Sequence, residues 1–139
     1  MKLLLGILCI NLFWEVLILV VRPTIVVNKL IPFKGFLAIA IAPFVFIKWE
    51  PREYTFDDKV FTHEYKHILQ QRIFTPLGFF VFYILQFLYN LIIVRHSFFN
   101  AYWHLVFEKQ AREFERMCII DVKKIYNKNI IDLTKKGVK

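Results

Sequence analysis

Two histidines separated by three residues stand near the middle of this chain, in the string Thr62-His63-Glu64-Tyr65-Lys66-His67-Ile68-Leu69-Gln70-Gln71. On a helix, residues four apart project from one face about a turn from each other, so both imidazoles can reach a single Zn2+ at about 2.0–2.1 Å. Glu64, next to the first histidine, points beside them, where its carboxylate can take a proton from a water that the metal activates. Two histidines do not complete a catalytic zinc site, which takes three protein ligands and keeps one position open. The chemistry on offer is metal-assisted hydrolysis with Glu64 as general base. The bland alternative is a solvated helix face that carries two histidines.

The third ligand must come from another element, so the elements around the motif matter. The pattern predicts a helix over 59–74, with Asp57 or Asp58 as its cap and Thr75-Pro76-Leu77-Gly78 as its breaker. An almost wholly apolar helix follows over 77–94, with Gln86 and Asn90 four apart, then a polar break over 95–100 and a third helix over 101–118. Short connections favour up-down-up packing. Tyr65, at the centre of the motif, lies nine residues before the end of the first helix, and counting nine at a time down the second and up the third returns to Glu108. Glu113, Glu115 and His104 compete for the place. Ala111, three residues after Glu108, is small enough to let the third helix approach the first, which favours Glu108 over Glu113 with its bulkier neighbours. His104 is one turn before Glu108 and is expected to share its face, where it could hydrogen-bond a substrate oxyanion. Gln70 and Gln71 could orient a ligand through a hydrogen bond or simply face solvent.

With these residues in place, the sequence resembles the zincin metallopeptidases of the gluzincin type. More closely, residues 38–113 are similar to small bacterial membrane-associated metallopeptidases. These show an apolar Pro-Phe strand pair, then H-E-x-x-H-x-x-Q-Q, an aromatic apolar helix and a final A-Y-x(4)-F-E-x-E-A. The matching residues are Pro43-Phe44, His63, Glu64, His67, Gln70, Gln71, Pro76, Ala101-Tyr102, Phe107-Glu108 and Ala111. The resemblance implies zinc on His63, His67 and Glu108, with Glu64 as the general base. One departure is Gln110, where the pattern has an acidic residue.

Composition says where such a site would sit. In 139 residues, 58% are hydrophobic and 18% aromatic, only 22% are charged, and the mean hydropathy is +0.48. That excludes a disordered chain, and it is more apolar surface than so small a soluble domain can bury. Residues 3–21 form the strongest membrane candidate, roughly 28 Å long as a helix and ended by Arg22-Pro23. Within it Asn11 and Glu15 share one face, which must pack on protein or reach water, and which could meet the Gln86/Asn90 stripe. Residues 35–49 split around Ala42-Pro43 into two short strands, 36–41 and 44–49, with a second span as the rival reading. Cys9 and Cys118 form no disulfide framework and are read as packing residues.

The formal charge of +8 concentrates at the C-terminal end, where residues 95–139 carry ten basic and five acidic side chains. Beside such apolar stretches, attraction to lipid headgroups is the simpler account of the charge, and no nucleic-acid partner is expected. The expectation is therefore a mainly helical α+β protein. Residues 1–22 form an N-terminal transmembrane anchor, 23–118 a zincin-like domain with a short β-hairpin, and 119–139 a basic, solvated extension. Its partners would be a peptide or protein substrate and the lipid bilayer. The resemblance implies the bacterial inner membrane, and the positive-inside rule puts the domain in the cytoplasm. Two rival readings stand beside it: a non-catalytic membrane protein with a structural zinc site, and a basic membrane-surface interaction module without metal.

Overall fold

A long, predominantly apolar run satisfies its backbone internally as a helix, and the chain opens with α1 (Lys2–Val20). The computed structural model describes residues 1–31, 36–48, 58–94, 97–118 and 130–132. Among these, α1 is the single helix long and apolar enough to cross a membrane unaided. Its first turns are exposed, but its C-terminal half is built into the domain. The Trp14 indole N–H donates to the Ala42 carbonyl. Ile18 is 2% exposed within the main core, and Arg72 Nη2 donates to its carbonyl at 3.3 Å.

Asn11 donates to Glu15 Oε1 at 2.6 Å and accepts from the Leu77 N–H at 3.2 Å. Gln86 and Asn90, expected to meet that pair, bind elsewhere. Gln86 Oε1 accepts from the Val106 N–H at 3.0 Å, and Asn90 Nδ2 donates to the Ala101 carbonyl at 3.1 Å. Cys9 and Cys118 are free and exposed rather than packed.

The strand pair around Ala42-Pro43 forms β2 (Ala38–Ile41) and β3 (Phe44–Lys48), antiparallel with Ala40 opposite Val45. Two further strands go beyond the expected hairpin. β1 (Thr24–Asn28) pairs in parallel with β3, and β4 (Ile130–Asp132) pairs in parallel with β1. Part of the segment expected as a solvated extension therefore belongs to the sheet, whose order is β2-β3-β1-β4. Trp49 and the alternative cap Asp57 lie outside the described residues. One sheet face packs Ile25, Val27, Ala40, Val45 and Ile47 against Phe61 and Ile68 of α2 (Asp58–Phe74) and against Ile18.

α2 ends where expected. Thr75 takes a left-handed φ of 62°, and its hydroxyl caps the Gly78 N–H of α3 (Pro76–Ile92) at 3.2 Å. Proline at the first position of α3 cannot continue α2, and the two axes are bent by 109°. The helices therefore do not pack up-down-up. The expected third helix is also broken, into α4 (Phe98–Trp103) and α5 (Val106–Met117). Leu105 is extended between them and fully buried. The broken ends are capped from other elements: Gln86 takes the Val106 N–H, and the Arg112 guanidinium donates to the Trp103 carbonyl while stacking on the Trp103 ring.

Candidate metal centre

α2 turns one face to the core and to α5, and on that face sit Glu64, His67, Ile68, Gln70 and Gln71, all buried. α5 brings Glu108, in its first turn, against them. Ala111 is fully buried one turn on, where a larger side chain would hold the helices apart. One ligand atom each from His63, His67 and Glu108 lies within 4.8 Å of the others. His63 Nε2 is 3.2 Å from Glu108 Oε2, and His67 Nε2 is 3.3 Å from Glu108 Oε1. Glu108 is 2% exposed. Arg112 makes a longer i,i+4 ion pair with Glu108 Oε2 at 4.0 Å, outside the closer contacts from the two histidines.

Each imidazole is held from its other nitrogen. His67 Nδ1 lies 2.8 Å from Gln70 Oε1, an acceptor, so that nitrogen carries the proton and Nε2 is turned towards Glu108. Gln70 is fixed in turn, its amide donating to the Phe107 carbonyl at 3.2 Å and to Gln110 Oε1 at 3.1 Å. His63 Nδ1 lies 3.4 Å from Glu115 Oε2. Glu115, a competitor for the third ligand in the sequence, thus sits behind His63, while Glu113 is exposed. Gln71 points away from the cluster, bridging the Ala40 carbonyl and the Ala42 N–H at 2.9 Å each. His104 falls at the α4–α5 break, is exposed, and places Nδ1 2.7 Å from the Asn100 carbonyl. The break takes it out of the helical register it was expected to share with Glu108.

Two residues with no role assigned from the sequence complete the surroundings of Glu108, Tyr83 without any signal and Tyr102 as part of the matched Ala101-Tyr102 pair. The Tyr83 hydroxyl donates to its Oε1 at 2.8 Å, and Tyr102 hydrogen-bonds the same carboxylate. Nothing in local spacing marks this role, because α3 and α4 reach Glu108 only through the bend at Thr75 and the break at His104.

The electrostatics concentrate negative charge at one point. Burial pushes the Glu108 carboxyl up, but hydrogen bonds from both histidines and their charges outweigh it and hold the group well below the usual carboxylate range. Burial pulls His67 down, and the bonded Glu108, the charge of Glu64 and the Gln70 contact reverse this, leaving it raised. Glu64 is the opposite case: burial raises its carboxyl, offset in part by the histidine charges and a backbone N–H from Ala40. Glu64 is 7% exposed, and its Oε2 has no hydrogen-bond partner among the described residues. A buried oxygen left so, beside three converging donors, fits a site made for a cation and a small reactant. Two nitrogens and one carboxylate are the donor types and number of a catalytic zinc site.

Beside the cluster lies a cavity of about 310 Å3, bounded by β2, α3 and α4 and reaching Glu64, His67 and Glu108. The arrangement of His63, Glu64, His67 and the distant Glu108 matches the HExxH-plus-glutamate architecture of zincins, here on an α+β chain with an N-terminal apolar helix. Comparison with protein-family models, with curated proteins and with solved structures finds nothing that matches this chain.

Proposed function

We propose that the protein is a membrane-associated zinc metallopeptidase. The observation that carries this reading is the convergence of His63, His67 and Glu108 within 4.8 Å beside a buried, unpartnered Glu64 oxygen. His63 and His67 would hold Zn2+ through Nε2 and Glu108 through its carboxylate. Bound there, zinc supplies a Lewis acid that polarises a carbonyl and makes a water nucleophilic near neutral pH. Glu64 accepts the proton of the attacking water as the carbon–oxygen bond forms, and delivers it to the nitrogen as the carbon–nitrogen bond breaks, so one water yields a carboxylic acid and an amine. Burial raises the affinity of Glu64 for that proton, which suits a group that must both take and return it. Tyr83 and Tyr102 keep the Glu108 carboxylate oriented. A donor set of three, next to an open cavity, favours a catalytic over a structural site, which would be closed by four protein ligands.

The first helix supports attachment to a membrane, and the basic excess after residue 95 favours a cytoplasmic domain on the bacterial inner membrane. Residues 1–22 serve as the anchor, and 23–118 with the strand at Ile130–Asp132 as the peptidase unit.

Glu64→Gln decides the reading. The purified variant should retain about one zinc per chain, the expected stoichiometry of a three-ligand catalytic centre, and lose peptide hydrolysis, while chelation abolishes hydrolysis by the parent. Full activity in Glu64→Gln would sink the mechanism. Zinc uptake with no turnover in the parent would favour the structural-zinc rival, and no zinc uptake the metal-free module.

A further inference from the structure

The cavity next to the metal centre has two distinct surroundings, and they say what kind of peptide it takes. This inference rests on the peptidase reading and specifies its substrate. α3, seventeen residues long, carries no charged side chain. One flank, with Phe79, Phe80, Tyr83 and Phe87, walls the cavity of about 310 Å3. The other, with Val81, Phe82, Leu85, Leu88 and Ile92, is exposed and apolar apart from the Tyr89 hydroxyl. A helix whose outer face met water would be polar there; contiguous apolar surface of this kind marks contact with a membrane or a partner.

The position of α1 chooses between these. The candidate span packs on the start of α3, through the Asn11–Leu77 bond and the Trp14–Phe80 ring contact at 6.1 Å, so the exposed apolar face of α3 belongs to a helix in direct contact with the candidate span. The cavity's rim lies on that side. Ile84 and Phe98, which line it, are 54% and 52% exposed. Its polar groups are confined to the inner end: Glu64, His67, Tyr83, Tyr102 and Glu108.

A second cavity of about 380 Å3 shares Glu64 and Tyr102 with the first and adds Lys59, His63 and Glu115 to a wall otherwise largely apolar. The reacting groups thus stand between an apolar chamber that opens beside the exposed face of α3 and a chamber whose wall includes charged side chains.

We propose that the apolar chamber selects the substrate: a membrane-inserted polypeptide segment, with a bulky apolar residue beside the cleaved bond seated against α3 and the polar part of its chain in the second chamber. The size of the apolar chamber, at the lower end of ligand pockets, suits one or two such side chains rather than a length of folded protein.

The test uses the full chain, loaded with zinc and reconstituted in vesicles of phosphatidylethanolamine and phosphatidylglycerol. The probes are peptides with a leucine–alanine anchor segment and one variable position next to it, set to Phe, Leu, Ala, Asp or Lys. Phe and Leu peptides should be cleaved with kcat/KM at least about tenfold above Asp and Lys peptides. Ile84→Trp, which narrows the rim, should lower the rate for Phe far more than for Ala. Binding is read separately in Glu64→Gln, with a photoreactive benzoyl-phenylalanine at the variable position: crosslinks should map to residues 79–87. Equal rates for Phe and Asp, a preference untouched by Ile84→Trp, or crosslinks that fall beside Lys59 and Glu115 or not at all, would each overturn the proposal. Crosslinking at 79–87 with no hydrolysis of any peptide by the parent would instead overturn the peptidase reading, and with it the assignment of a substrate, leaving an apolar binding chamber.

Discussion

The two imidazoles at the centre are useful to a metal only if their rings cannot turn. His67 meets this condition through a chain of neutral contacts: its Nδ1 on Gln70, and the Gln70 amide on the Phe107 carbonyl and on Gln110. Gln110, although uncharged, supplies the acceptor oxygen that closes this chain of contacts. Groups in this position typically govern 10–100-fold in metal affinity. Gln70→Ala should therefore weaken zinc binding by about 10–100-fold, measured by competition with a chromogenic chelator, while leaving His63, His67 and Glu108 in the chain. An unchanged affinity would mean that packing against Phe79, whose ring centroid is 5.9 Å from that of His67, holds the ring instead. At this scale the sequence was legible where spacing is local. His63, Glu64 and His67 follow from one helical turn, and Ala111 pointed to the correct face of α5. Tyr83, the role of Tyr102 and the place of Glu115 were not legible, since each depends on how a distant element runs.

At the scale of elements, the count that led to Glu108 reached a residue that does join the cluster, by a path the chain does not take. It assumed straight, antiparallel helices, whereas α3 leaves α2 at 109° and the third helix breaks at His104-Leu105. Gln86 explains why the count survived: it stood at the level of the motif, and it is the residue that accepts the Val106 N–H and so sets where α5 begins. The β2–β3 hairpin was readable from the apolar runs flanking Ala42-Pro43. β1 and β4 were not, because a parallel strand is defined by partners far along the chain. The link between the hairpin and the site is Gln71, fully buried, which satisfies the Ala40 carbonyl and the Ala42 N–H on the side of β2 away from β3. Gln71→Ala leaves both backbone groups unpaired in the core, at about 1–3 kcal/mol each. The variant should melt several degrees lower in a thermal scan. Its hydrolysis should fall more than its zinc content, since Ala40 also presents its N–H to Glu64. Loss of zinc in step with activity would instead assign Gln71 to the metal centre itself.

Over the whole molecule, the high apolar content divides into two uses. Part of it is an ordinary core between the sheet and α2, and part is the outward surface of α1 and α3, which no described element covers. α1 belongs to both. Its N-terminal turns present Leu4, Leu5 and Leu8 outward, whereas Trp14 and Ile18 reach into the domain. Such a helix packs into the domain along one half and stands free of it along the other, and substitutions along it should differ by position. Ile18, buried among Ile25, Ile47 and Phe61, has the surroundings in which Ile→Ala costs about 2–5 kcal/mol through lost transfer energy and an unfilled cavity. Leu8, 55% exposed, has no protein cavity to leave behind, and Leu8→Ala should stay within about 0.5 kcal/mol. Thermal unfolding of the full chain in one detergent, followed by circular dichroism, separates the two: Ile18→Ala should lower the midpoint markedly and Leu8→Ala hardly at all. If both variants melted with the parent, α1 would be a detachable anchor, and its burial against the sheet would contribute nothing to holding β2 at the metal centre.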